Sequence, residues 1–134
     1  MISLLAILAA SSVANADIRT LLREQGFNGL VNGRETIRFA GNVRQGRNDY
    51  KIYTYHGVFK AAVVDHGVNW IIVVLNGSVV LGGYQIPMPT RCRVHRDRVF
   101  CDAKSLGRVI HFTKRGPRRQ IWFDGEVQQF QRSN

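Results

Sequence analysis

The sequence predicts a mainly all-β fold, a small antiparallel β-barrel or sandwich of about eight strands, with a short helix ahead of them. Three observations predict it. Asn76-Gly77 stands between two apolar runs, and a two-residue hairpin turn needs residues that accept φ > 0. Cys92 and Cys101 flank a second short turn at Arg96-Asp97. Turn dipeptides then recur between short β-rich runs along most of the chain.

Residues 69–83 are read as the centre of the sheet. A turn at Asn76-Gly77 sets Leu75 opposite Ser78, Val74 opposite Val79, Val73 opposite Val80 and Ile72 opposite Leu81. Trp70, Ile72, Val74, Val79 and Leu81 then share one face, and Ile71, Val73, Leu75 and Val80 the other. Both faces are apolar, so the hairpin belongs in a sheet covered on both sides.

The N-terminal stretch speaks to compartment. Residues 2–13 are apolar and small, and Ala14-Asn15-Ala16 follows as a small-residue cleavage site. Residues 1–16 therefore read as a cleaved signal peptide, leaving 17–134 as one β-rich domain that is periplasmic or secreted. The run is too short for a permanent membrane anchor, and no other stretch approaches spanning length, so no transmembrane segment is expected in the mature chain. The cysteines agree with export. If Arg96-Asp97 is the turn, His95 faces Arg98, Val94 faces Val99 and Cys92 faces Cys101. The cysteine pair falls at a non-hydrogen-bonded position, where side chains approach closely, so a disulfide is expected there. The loop it closes is short, for a stabilisation of about 2–3 kcal/mol.

Along the chain, residues 17–25 form a short amphipathic helix, with Ile18, Leu21 and Leu22 on one face to cover the sheet. Turns are expected at Asn28-Gly29 and Asn32-Gly33. Residues 35–43 alternate as a half-buried strand, with Ile37 and Phe39 on one side and Arg38 on the other. Residues 50–56 and 58–64 read as strands, with turns at Gly57 and at Asp65-His66-Gly67. The segment 84–89 carries Pro87 and Pro89, which cannot donate to a ladder, so it is expected to cross an edge. Residues 104–107 read as a loop. Strands are expected at 108–113 and 120–124 around the basic turn 114–119, with Gly125 breaking the last one and 126–130 resuming it.

The charge is unusual. Lys+Arg 19 against Asp+Glu 9 gives a net charge of +10, and the cations are Arg apart from Lys51, Lys60, Lys104 and Lys114. The guanidinium fork pairs phosphates and carboxylates at two points, so an Arg excess points to anions. Two groups carry the candidate contacts. On the outer face of the disulfide hairpin stand Arg91, Arg93, His95, Arg98 and Phe100, with Arg93 opposite Phe100 as a cation–π pair and Arg91 opposite Asp102. The second group is Lys114, Arg115, Arg118 and Arg119, above His111 set opposite Trp122; Phe112 with Ile121 and Ile110 with Phe123 face the core. A charged edge that discourages strand pairing is the competing reading of the first group. Tyr50, Tyr53 and Tyr55 read as half-buried packing.

No catalytic or cofactor motif is present: no H-x-x-x-H, no paired C-x-x-C, no G-x-S-x-G and no phosphate-binding glycine loop. No metal, cofactor or catalytic residue is assigned. Gly82-Gly83 is placed at a turn or strand end. In layout alone, a leader before a small β domain with one hairpin disulfide resembles small bacterial periplasmic proteins such as lysozyme-inhibitor barrels. The +10 charge speaks against a cationic target of that kind. The leading expectation is a non-enzymatic domain that binds an anionic envelope component, a polyanion such as nucleic acid, or an acidic protein. The alternatives are a small secreted hydrolase using His56, His66 or His111 as acid or base, and a structural or assembly subunit of the cell envelope.

Overall fold

The apolar residues of the chain alternate, and alternation is what gives a strand two usable faces. In the computed structural model, which describes residues 18–102 and 109–132, that pattern yields ten strands and one short helix. The expected leader 1–16, Asp17, the expected loop 104–107 and Arg108 lie outside the described residues. Helix α1 covers residues 18–24, and a 3-10 turn follows at Asn28–Leu30. The strands are β1 (Thr36–Gln45), β2 (Asn48–Ala61), β3 (Val64–Leu75), β4 (Val79–Ile86), β5 (Cys92–His95), β6 (Arg98–Cys101), β7 (Val109–Thr113), β8 (Gly116–Pro117), β9 (Gln120–Phe123) and β10 (Glu126–Arg132). A six-stranded sheet runs β1-β2-β3-β4-β10-β9 and curls into a half-barrel, and a four-stranded sheet runs β5-β6-β7-β8. Strands make up 64% of the structure, as the all-β expectation requires. Among the described residues no helix is long and apolar enough to cross a membrane.

The core lies on both sides of the large sheet. Val43, Tyr50, Ile52, Ile71, Val73 and Tyr84 pack with Val99, Cys101, Ile110 and Phe112 of the small sheet and with Ile121 and Phe123. On the opposite face α1 lays Ile18 and Leu22 over Tyr53, Tyr55, Ile72, Val74 and Val80. The odd and even positions of β3 divide between these clusters as its alternation predicts. The helix covers the sheet as its apolar face requires.

The register of the central hairpin departs from expectation by one residue on β4 next to the turn and by two beyond a bulge at Leu81. Asn76 and Gly77 adopt φ of 52° and 72°, as the turn demands. Yet Leu75 pairs Val79, Val74 pairs Val80 and Val73 pairs Gly82, with Leu81 bulged out. Side-chain and backbone bonds from elsewhere explain the slip. The Gln25 side chain donates to the Ser78 carbonyl at 2.8 Å and accepts from the Val80 N–H at 2.8 Å. Asn76 N–H donates to the Asp49 carbonyl at 2.7 Å, and the Asp49 N–H returns a bond to Asn76 Oδ1 at 2.9 Å. Because side chains alternate, this slip sends Val80 under α1 and Leu81 into the main core, the reverse of the expected faces.

Three local turn readings give way to longer ladders. β2 runs through Gly57, and the expected turn at Asp65-His66-Gly67 lies inside β3, because the pairing from Tyr50↔Leu75 to Ala61↔Val64 is unbroken and turns only after Ala61. Gly57 serves a different need: a Cβ there would collide with the Tyr55 phenol, which lies across it to reach the Leu30 carbonyl. Tyr84, Gln85 and Ile86 do not cross an edge; they pair with β3, and the strand ends only where Pro87 removes the donor. Gly82-Gly83 is strand interior, not a turn. At Gly82, φ 137°, a Cβ would strike the Gln131 backbone, so glycine lets β10 approach β4.

The basic turn is also rebuilt. Lys114-Arg115 alone make the turn, with Thr113 opposite Gly116 and Phe112 opposite Pro117. Pro117 has no N–H to continue the ladder, and Arg118-Arg119 carry the chain over to the large sheet. There β9 pairs with β10 across Asp124-Gly125, with positive φ at both, so Gly125 is a hairpin turn and not a break. Ile110, Phe112, Ile121 and Phe123 all reach the core as expected, but from two different sheets.

Candidate functional site

The small sheet separates its side chains by alternation. Cys92 faces Cys101, with Cα atoms 4.0 Å apart and the disulfide formed; Val94 faces Val99, Arg93 faces Phe100 and His95 faces Arg98. This is the register that the turn at Arg96-Asp97 predicts. Val99 and Cys101 are buried, while Arg93, His95 and Arg98 are exposed on the other face and Phe100 is half-buried between them. The Arg93 guanidinium carbon lies 6.0 Å from the centre of the Phe100 ring.

Adding β7 enlarges this face. Arg98 pairs His111, and Phe100 pairs Val109. One row across the three strands therefore reads His95, Arg98, His111, and the next reads Arg93, Phe100, Val109. In a meander the first and third turns lie at the same end, and the Phe112 N–H donates to the Asp97 carbonyl at 3.1 Å. The Arg96-Asp97 and Lys114-Arg115 turns are therefore neighbours. A groove of about 590 Å³ at that end is lined by Arg96, Asp97 and Val94 and by Gly41, Asn42 and Arg44 of β1, which adds a further cation. Arg98 Nε lies 3.9 Å from Asp97 Oδ1, a contact between half-exposed groups that water and salt weaken.

The structure thus gathers Arg93, His95, Arg98, Phe100, His111, Lys114 and Arg115 on one face and its adjoining turns. It does not gather the rest. Arg91 sits at the opposite, open end of the hairpin, where the Asp102 N–H donates to its carbonyl at 2.8 Å. Arg118 and Arg119 are exposed in the crossover, their carbonyls taken by Tyr84 Oη and the Phe130 N–H. Trp122 is exposed on β9 opposite Val127, in the other sheet, so the expected His111–Trp122 pair does not form. The reason is the long-range choice of partner by β9.

The tyrosines are packing groups. Tyr53 and Tyr55 lie under α1, and the Tyr50 ring packs at a tilt against Phe112 in the main core, their centres 5.4 Å apart. Burial first, and then the charge of Glu35, push the Tyr55 phenol up to about 12. Burial likewise raises Tyr84, with Arg118 opposing it. Both phenols stay protonated at neutral pH.

The histidines do not converge. His56 pairs Asn69 while His66 pairs Phe59, and the odd offset along an unbroken ladder puts them on opposite faces of the ribbon. His95 and His111 belong to the small sheet. His56 has other neighbours: its Nδ1 lies 2.7 Å from Asn69 Oδ1, and it lines a cleft with Thr36, Arg38, Thr54, Arg91 and Asp102. Sequence reading missed this group. Its only local signal is polar residues at strand positions where alternation calls for core. Among the described residues no cluster of His, Cys, Asp or Glu is placed to hold a metal ion. Comparison with protein families, with curated proteins and with solved structures finds no match to this chain.

Proposed function

We propose that this chain is an exported, non-enzymatic β domain that binds polyanions through the outward face of its small sheet. The observation that carries the reading is the merging of two cationic groups far apart in sequence. The pairing of Arg98 with His111, and the bond from Phe112 to Asp97, set the two basic turns side by side. Guanidinium forks and ammonium groups there meet repeated phosphates, sulfates or carboxylates, and the Arg93–Phe100 pair offers a flat surface for stacking. The net charge of +10 draws such a ligand in from a distance. The disulfide supports an exported setting, since such bonds persist where thiols are oxidised.

The test is retention on immobilised heparin and on single-stranded DNA as salt rises. The wild-type domain elutes late, and affinity falls steeply with salt. Substituting Arg93, Arg98 and Arg115 together with Gln reduces the slope of log affinity against log salt by roughly two to three, about 0.7–0.9 per lost contact. An unchanged elution position and slope in the folded triple variant rejects the proposal.

A further inference from the structure

Two polar residues are buried among the described residues, Thr54 and Asn69, and both lie where β1 begins alongside the β2–β3 ribbon. Burying an amide or hydroxyl is unfavourable without a hydrogen bond, and the neighbouring rows, Ile52 with Val73 and Ile71 with Tyr84, show apolar residues filling the same face. Asn69 meets the requirement by accepting from His56: an amide oxygen can only accept, so Nδ1 of the imidazole carries the proton. The bond fixes the ring's orientation, and in the neutral ring it leaves Nε2 as an acceptor.

That imidazole lines the cleft formed with Thr36, Arg38, Thr54, Arg91 and Asp102. The cleft measures about 420 Å³, within the range of roughly 300–1,000 Å³ typical of small-molecule sites. Its walls come from two separate parts of the fold. Thr36, Arg38, Thr54 and His56 belong to β1 and β2, while Arg91 and Asp102 come from the open end of the disulfide hairpin. Two guanidiniums against one carboxylate leave the lining net positive. Among the described residues, neither the Arg38 nor the Arg91 side chain forms an ion pair, unlike Arg19, Arg34 and Arg98. Two forks suit a group with three equivalent oxygens better than a carboxylate with two.

We propose that this cleft is a binding site for a small phosphate ester bearing a hydroxyl, with Arg38 and Arg91 on the phosphate and the His56 Nε2 accepting from the hydroxyl. The site is distinct from the polyanion face. The two share no residue: Arg91 stands two positions, roughly 7 Å of extended chain, from Arg93 of that face and five positions, roughly 17 Å, from the Arg96-Asp97 turn.

The experiment is calorimetric titration of the full domain with glycerol 3-phosphate, methyl phosphate and glyceric acid. Glycerol 3-phosphate binds saturably at one site and more tightly than either of the others. The double variant R38Q/R91Q, at exposed positions, weakens it at least tenfold yet shifts heparin elution less than R98Q/R115Q, which removes the same charge. R98Q/R115Q leaves the titration within twofold of wild type. H56A, its fold checked by circular dichroism, binds glycerol 3-phosphate and methyl phosphate alike. Absence of saturable binding, or wild-type affinity in R38Q/R91Q, overturns the site. Loss of binding in R98Q/R115Q alone assigns the ligand to the polyanion face and overturns it too. Retained selectivity in H56A overturns the role given to His56.

Discussion

Glu35 shows how one side chain ties together segments that are not neighbours in sequence. Its carboxylate accepts from Arg19 Nε at 3.1 Å and from the backbone N–H groups of Gly33 at 2.7 Å and Asn32 at 3.2 Å. Burial opposes its ionisation, but these bonds, with one from its own backbone N–H, outweigh that and hold the carboxyl below its ordinary range. A carboxyl whose folded pKa is depressed stabilises the fold fully above its unfolded value, about 4.3, and loses that contribution as pH falls through the folded value. Replacing Glu35 with Gln is therefore expected to cost about 1–3 kcal/mol at pH 6. The gap from wild type narrows at pH 3, as urea denaturation at the two values measures.

At the scale of elements, α1 is stable only because the sheet receives it. A helix of two turns is marginal alone in water. Leu22 is fully buried against Tyr53, Tyr55, Ile72, Val74 and Val80, and Gln25 just beyond the helix bonds the start of β4. Leu22→Ala leaves a cavity at that contact and is expected to lower stability by about 2–5 kcal/mol, read from the shift in urea midpoint at constant slope. The register of β4 depends on the same helix end. That register was not legible from the Asn76-Gly77 turn, since the bonds from Gln25 and Asp49 come from residues remote in sequence.

For the whole molecule the dominant quantity is net charge. A surplus of +10 on 134 residues repels itself and works against compaction. Screening at 0.15 M salt shortens the range of that repulsion to about 8 Å, from about 30 Å at 0.01 M. The melting temperature is expected to rise between these two conditions when followed by circular dichroism; a fall would mean that attractive surface pairs outweigh the repulsion. The same screening weakens the proposed polyanion binding, so salt is expected to move stability and affinity in opposite directions.

What the sequence determined by itself is what adjacent residues decide. Alternation settled which side chains of β3 face each core. The spacing of Cys92 and Cys101 about a two-residue turn settled the register and disulfide of that hairpin, because both depend on eight intervening residues alone. Burial of Ile110, Phe112, Ile121 and Phe123 was equally legible. Tertiary structure decided which strands share a sheet: β9 left β7 for β10, Trp122 went with it, and His111 came to lie beside Arg98. It also assembled the cleft, whose lining residues are 66 positions apart at the extremes, from Thr36 to Asp102. The physical reason is that pairing between distant strands and closure of a cleft depend on competing long-range contacts, which no local pattern of residues encodes.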